Sequence, residues 1–298
     1  MLTTDEAFTK FRSRLELNEK EQRDASARQQ EIRNLMDESF DVDHDFLTGS
    51  YKRHTKTKPL KDVDIFCVLG DDERHYRNKP PGDLLAAVAK ALRKEYGESA
   101  VKEQRRSVSI NFGVKPDADD KTNYKVVSFD VVPAFGAASD YEIPDKGPPT
   151  AGWTKTNPRI HEEKAKDAQE AFSGEWKGLV RMMKYWNNSH GKPVRPSFLI
   201  EVMALEVLHA PFGGDRAREM QFFFKTLGAR IHETWKDPAG LGPPVSDSMD
   251  IPARNAAHDA LLAAEREAAN AIQMTKRGQQ GDALRAWRTL FGPRFPLS

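Results

Sequence analysis

The sequence predicts an α+β chain of two unlike halves, a strand-and-helix half over residues 1–156 and an all-helical half over 157–298. Three observations predict it. From about residue 41 to 132, short apolar runs alternate with turn residues, which is the texture of strands. Beyond residue 157, apolar side chains recur at three- and four-residue intervals. Between the two patterns lies a Gly/Pro-rich stretch, 136–152, which reads as a closing loop.

The elements follow in order. Residues 3–38 contain neither Pro nor Gly, and Phe8, Phe11 and Leu15 are spaced as on a helix. A strongly polar middle makes this segment a surface or bridging helix. Phe46-Leu47 precedes the turn residues Thr48-Gly49-Ser50. Val63 to Leu69 is a strong strand, stopped by Gly70-Asp71-Asp72. Pro80-Pro81-Gly82-Asp83 opens a helix with Leu84, Leu85, Val88, Ala91 and Leu92 on one face and Gly97 past its end. Val101 to Gln104, Ser107 to Val114 and Tyr124 to Val132 are expected strands. In the second half, helices are expected over 159–172, 175–190, 197–209, 215–235, 252–276 and 281–291, with a loop from Asp237 to Pro252.

Composition excludes several classes. The chain of 298 residues carries 46 basic and 45 acidic side chains, a formal net charge of +1, so a general coat for nucleic acid is not expected. Cys67 is the sole cysteine and lies in the run Ile65-Phe66-Cys67-Val68-Leu69, which reads as a buried structural thiol. No stretch approaches the ~20 apolar residues of a membrane span, and the charged first thirty residues hold no signal core. A cytoplasmic protein is expected. His161, His190, His209 and His232 have no metal-ligand spacing and read as structural.

The chemistry resides in an ordered set: Gly49-Ser50, then Asp62-Val63-Asp64 opening an apolar strand, then Asp130 closing another. Strand alternation predicts that Asp62 and Asp64 share one face, with Val63 and Ile65 pointing into the core. Carboxylates that close repel, and a divalent cation removes the penalty. With Asp130 beside them, three hard oxygen donors suit two Mg²⁺ ions, with Mn²⁺ as a substitute, for in-line displacement at phosphorus. Asp130 is then placed to orient an attacking hydroxyl and take its proton. Gly49 lets the backbone approach a phosphate, Ser50 can donate a hydrogen bond, and Lys52, Arg53, His54, Lys56, Lys58 and Lys61 add positive potential. Taken singly, each piece has a plainer reading: Gly-Ser is commonly a turn, Asp-x-Asp a surface strand end, and a basic run a solvated face. The order of all of them together is what carries the assignment.

The stretch Thr48-Gly49-Ser50-Tyr51-Lys52-Arg53-His54-Thr55, followed by Pro59-Leu60-Lys61-Asp62-Val63-Asp64-Ile65, resembles the polymerase-β-like nucleotidyltransferases. Within them it resembles the bacterial cGAS/DncV-like nucleotidyltransferases, or CD-NTases. Trp176-Lys177-Gly178-Leu179-Val180-Arg181-Met182-Met183-Lys184-Tyr185-Trp186 is similar to that family's helical segment, and Ala286-Trp287-Arg288-Thr289-Leu290-Phe291-Gly292-Pro293-Arg294-Phe295-Pro296 to the tail of several members. The resemblance implies a bilobed fold, with a nucleotidyltransferase core on a mixed sheet and an oligoadenylate-synthetase-like helical lobe. It implies that nucleoside triphosphates, ATP among them, are joined into a cyclic di- or trinucleotide with release of pyrophosphate. The product then acts on a separate effector protein in antiphage (CBASS) defence. A monomeric enzyme is expected, with room for a regulatory partner but none for a membrane or a stably bound nucleic acid.

The resemblance also implies roles for single residues. Lys184 matches a lysine that contacts the donor triphosphate, a task that suits a flexible ammonium. Ser197, following Arg195-Pro196, reads as a helix N-cap, and its family counterpart touches the donor phosphates. Asn157 sits where the family places residues near the donor base, although Asn-Pro is equally an ordinary helix start. Tyr141 could stack on a base. Two other functions compete: transfer of a nucleotide to an RNA end or a protein hydroxyl, and catalytically silent nucleotide binding. Near-zero net charge weighs against the RNA acceptor, and the intact aspartate trio against the silent protein.

Overall fold

Two helix-start signals open the chain. Helix α1 (Thr4–Leu15) begins at a capping box between Thr3 and Glu6, and α2 (Glu19–Ser39) at a second box between Asn18 and Glu21. The single helix expected over 3–38 is therefore two, because the Asn18 cap ends the run. The computed structural model describes residues 1–58, 60–114, 126–147, 152–208 and 211–298. The chain divides into one unit of residues 17–162 and another of 1–16 with 163–298. The sequence placed the division at 156/157, with the first helix on the strand side. Here α1 belongs to the helical unit, where Phe8, Phe11 and Leu15 are fully buried.

In the first unit, β1 (Val42–Thr48), the four-residue α3 (Gly49–Lys52), β2 (Val63–Leu69), α4 (Pro81–Tyr96), β3 (Val101–Glu103), β4 (Val108–Asn111), β5 (Ser128–Ala137), β6 (Asp140–Asp145) and β7 (Gly152–Thr156) follow one another. Among the described residues the strands form one sheet in the order β1-β2-β5-β4-β3, and β6 pairs with both β5 and β7. Strands β2 and β5 run parallel and the other pairs antiparallel. Alternation decides the faces. Val63, Ile65, Cys67, Leu69, Phe129 and Val131 turn to a core shared with Leu84, Leu85, Val88 and Leu92 of α4 and with Ile32 and Met36 of α2. Cys67 is buried as expected, and burial pushes its thiol pKa up. Phe66, Val68, Ala134, Tyr141 and Ile143 make a smaller cluster.

Two local expectations change. The stretch 136–152 is not a closing loop, since β5 runs to Ala137 and β6 and β7 continue the sheet. The strand expected from Tyr124 starts at Ser128; residues 124 and 125 lie outside the described residues, as does His209.

The second unit is helical: α1, α5 (Pro158–Ala171, whose first turn belongs to the other unit), α6 (Trp176–Ser189), α7 (Ser197–Val207), α8 (Arg216–Arg230), α9 (Ile251–Lys276) and α10 (Gln280–Phe291). These lie close to the expected spans. Its core gathers Phe8, Phe11, Trp176, Trp186, Phe224, Trp287 and Phe291, all at most 1% exposed. Leu179, Val180 and Met183 of α6 are packing residues, as their helical spacing predicts. No helix among the described residues is long and apolar enough to cross a membrane.

Candidate active site

Pairing of four strands lines up the site. Thr48 of β1 lies opposite Asp64 of β2, Asp64 is in register with Asp130 of β5, and Asp130 is opposite Ser109 of β4. Residues in register share a face, and neighbouring strands are ~4.8 Å apart, so the Asp64 and Asp130 carboxylates stand side by side. The sequence places Asp130 beside both Asp62 and Asp64; the strand register brings it beside Asp64. Burial, and next the charge of Asp130, raise the Asp64 pKa from 3.8 to about 6. Asp130 is also raised, by burial and by the charge of Asp62, against a lowering hydrogen bond from Ser109.

Gly49 is fixed by Asp64. Its φ is +65°, and a Cβ added there would lie 1.8 Å from Asp64 Oδ2. The residue must therefore lack a side chain on two counts, backbone conformation and close approach. Ser50 follows, and its carbonyl accepts the Thr55 and Lys56 N–H groups at 3.0 and 3.1 Å, which folds the basic loop back beside the glycine.

Asp62 departs from the sequence reading. It precedes β2 and has φ +49°, so alternation does not carry it to the face of Asp64. Its N–H donates to Ser128 Oγ (3.2 Å), and that hydroxyl donates to Asp62 Oδ1 (2.8 Å). The Lys56 ammonium donates to the Asp62 carbonyl at 3.3 Å and to Oδ2 at 3.4 Å. No three His, Cys, Asp or Glu side chains among the described residues form a ready-made cation site. The donor chemistry nevertheless fits a hard divalent cation. Two adjacent carboxylates repel, and a lysine ammonium already stands as a positive charge among them.

Sequence reading missed the support around Asp130. Gln104 Nε2 donates to Asp130 Oδ1 at 3.3 Å, and Ser107 Oγ donates to Gln104 Oε1 at 3.1 Å, which sets the amide's orientation. The intervening Arg105 and Arg106 grip the buried Asp145 at 2.5 and 2.8 Å. Burial would raise the Asp145 pKa, but Arg105, the Gly147 N–H and Arg106 hold it down to about 2. Only the fold brings Asp145 to this turn; nothing in the local sequence marks it.

The remaining candidates have other surroundings. Lys184 is buried in the helical unit, its ammonium 2.5 Å from Glu201 Oε1, with side chains only 5% and 2% exposed. Removing one member of such a pair leaves a buried charge, so Lys184→Met is expected to cost about 3–5 kcal/mol of stability. Denaturant unfolding checks this, and Lys184→Met with Glu201→Leu should recover most of the loss. Ser197 is the first residue of α7 and not its cap; Pro196 holds the cap position and no side chain caps the helix. Asn157 is 7% exposed. Its amide donates to the Ser139 carbonyl (3.1 Å) and Asp140 (3.0 Å), and its oxygen accepts the Arg159 N–H (3.2 Å). It thus ties the β5–β6 turn to the start of α5. Tyr141 packs against Phe46 and Phe66 and is 8% exposed, so it offers no open stacking surface.

A mixed sheet presenting Gly-Ser at the start of α3 and paired aspartates on adjacent parallel strands is the arrangement of a nucleotidyltransferase. The chain belongs to the Second Messenger Oligonucleotide or Dinucleotide Synthetase (SMODS) domain family, which residues 1–168 match. It is 27% identical over 274 residues to a probable cyclic nucleotide synthase of Bacillus cereus, covering 83% of this chain and 81% of that one. It is 29% identical over 276 residues to a cyclic AMP-AMP-AMP synthase of an Acinetobacter strain, covering 86% and 73%. In fold it is similar to Escherichia coli CdnC, solved with ATP, with TM-score 0.72, 17% identity and 98% of each chain covered. The CD-NTase resemblance and the cyclic nucleotide synthase class expected from the sequence are thereby met.

Proposed function

We propose that this chain condenses nucleoside triphosphates, ATP among them, into a cyclic di- or trinucleotide at Asp62, Asp64 and Asp130. The observation that carries this reading is the register pairing of Asp64 with Asp130 beside Gly49. The relatives supply the product class, and the Acinetobacter synthase makes ATP the first substrate to test.

In the reaction, a ribose hydroxyl oxygen forms a bond to the α-phosphorus of a second nucleotide. The bond from that phosphorus to the pyrophosphate breaks, and pyrophosphate leaves. A second displacement within the linear product closes the ring. Asp130, oriented by Gln104 and Ser109, takes the hydroxyl proton at its carboxylate. Asp64 and Asp130, joined by Asp62, would hold Mg²⁺ or Mn²⁺. Two such ions, when bound, supply charge neutralisation for the triphosphate and activation of the hydroxyl. Gly49 keeps the turn clear of Asp64, and Ser50 beside it donates to a phosphate. The product's role as a signal to a separate effector in antiphage defence is part of the same proposal, supported by the family's second-messenger chemistry.

Incubation of the purified protein with Mg²⁺ or Mn²⁺ and four labelled triphosphates should give a phosphatase-resistant product with the mass of a cyclic oligonucleotide. Products that are all phosphatase-sensitive would rule out cyclisation. Label moving onto RNA or protein would favour the non-cyclising transferase.

A further inference from the structure

Lys56 sits where an acidic site has most need of positive charge. Its ammonium contacts the Asp62 carbonyl and carboxylate at 3.3 and 3.4 Å, and its charge also acts on Asp64 and Asp130. Other basic residues of the loop are engaged elsewhere: Lys52 pairs with Glu162 at 3.5 Å and Lys58 with Glu21 at 3.3 Å. Arg53 is 7% exposed.

Two features make the Lys56 head displaceable while its base stays fixed. The Thr55 and Lys56 N–H groups are bonded to the Ser50 carbonyl, and Thr55 is fully buried, which anchors the backbone. The ammonium contacts, by contrast, are long for charged hydrogen bonds, against 2.5 Å in the sealed Lys184–Glu201 pair. Lys56 also shares Asp62 with Ser128: the ammonium offsets the charge at Oδ2 while the serine hydroxyl donates to Oδ1.

We propose that Lys56 is the built-in counter-cation of the acidic site: its ammonium neutralises the aspartates when no divalent cation is bound and withdraws when one enters, freeing Asp62 to join Asp64 and Asp130. Lys56 thereby sets the concentration at which divalent cation loads the enzyme. The proposal rests on the reading of the three aspartates as a cation site. An ammonium and a divalent cation compete for the same oxygens, and the residue that loses the competition must be on a long flexible stem. Lysine meets that need, whereas arginine, with its planar fork, would hold the carboxylates more firmly.

The test is calorimetric titration of the nucleotide-free protein with Mn²⁺ alone, on wild type, Lys56→Met, Lys56→Arg and Asp64→Asn. Lys56→Met keeps the stem and removes the charge, and should tighten Mn²⁺ binding about tenfold or more, because a unit charge a few ångströms away is lost. Its Tm without cation should fall, and the Mn²⁺-induced rise in Tm should exceed that of wild type. Lys56→Arg should bind Mn²⁺ no more tightly than wild type. Lys56→Met with unchanged or weaker Mn²⁺ affinity overturns the proposal; a raised KM for ATP alongside would assign the ammonium to the triphosphate instead. Equal Mn²⁺ binding by wild type and Asp64→Asn would overturn the cation site itself and the proposal with it.

Discussion

Asp64→Asn is expected to lower kcat for product formation by at least about 10³-fold, because it removes charge stabilisation worth several kcal/mol at the reacting phosphate. The same substitution should make the cation-free protein more stable. Asp64 titrates near 6 in the folded chain against 3.8 for an ordinary aspartate, so the fold binds its proton more tightly than the unfolded chain does. The stability this contributes is fully present below pH ~4 and is lost as the pH rises through ~6. A shift of that size corresponds to about 2–3 kcal/mol, and the partial exposure of the side chain places the effect at the lower end. Asparagine has no such dependence. In EDTA, wild type should lose stability between pH 4 and 6 relative to Asp64→Asn, and denaturant midpoints across that range measure the difference. An inactive variant with higher stability is the pattern of a carboxylate kept for function. A variant both active and unaltered in stability would place the chemistry elsewhere.

Gly49→Ala is expected to be nearly as damaging, for a different reason. The added methyl would stand 1.8 Å from Asp64 Oδ2, and alanine at φ +65° is strained by about 1 kcal/mol. Either the turn moves outward or the Asp64 carboxylate swings away, and a displacement of about 1 Å at reacting groups costs about 10²-fold in rate. The fold should survive, since the turn is at the sheet edge and the glycine supplies no core packing. The measurement is kcat together with Tm: a large loss in rate with a Tm within a few degrees of wild type. A rate within threefold of wild type, allowing roughly for error, would show that the close approach has no catalytic consequence.

Much of this was legible in the sequence, for reasons that also explain what was not. Asp64 and Asp130 each sit in a strongly apolar strand, so alternation alone separates them from Val63, Ile65, Phe129 and Val131. Asp62 obeys no such rule, since alternation requires extended backbone and its φ is +49°. The break between α1 and α2 was readable in Asn18 and Glu21, a capping pattern hidden inside a segment without Pro or Gly. Strands β6 and β7 were obscured by Pro144 and by the glycines around them, which resemble loop composition. Gln104 and Asp145 act through contacts made only when β4, β5 and β6 pair, and Lys184 through a helix–helix ion pair with Glu201. Such partners are set by tertiary structure, and local pattern carries no trace of them.

Crystals grown with Mn²⁺ and a non-hydrolysable ATP analogue, measured at a wavelength where manganese scatters anomalously, test the carboxylate pairing most directly. The expected result is anomalous density within coordination distance of the Asp64 and Asp130 carboxylates, with Asp62 turned away from Ser128 to share it. Nucleotide bound with manganese density absent from these side chains, or centred on other residues, would contradict the account.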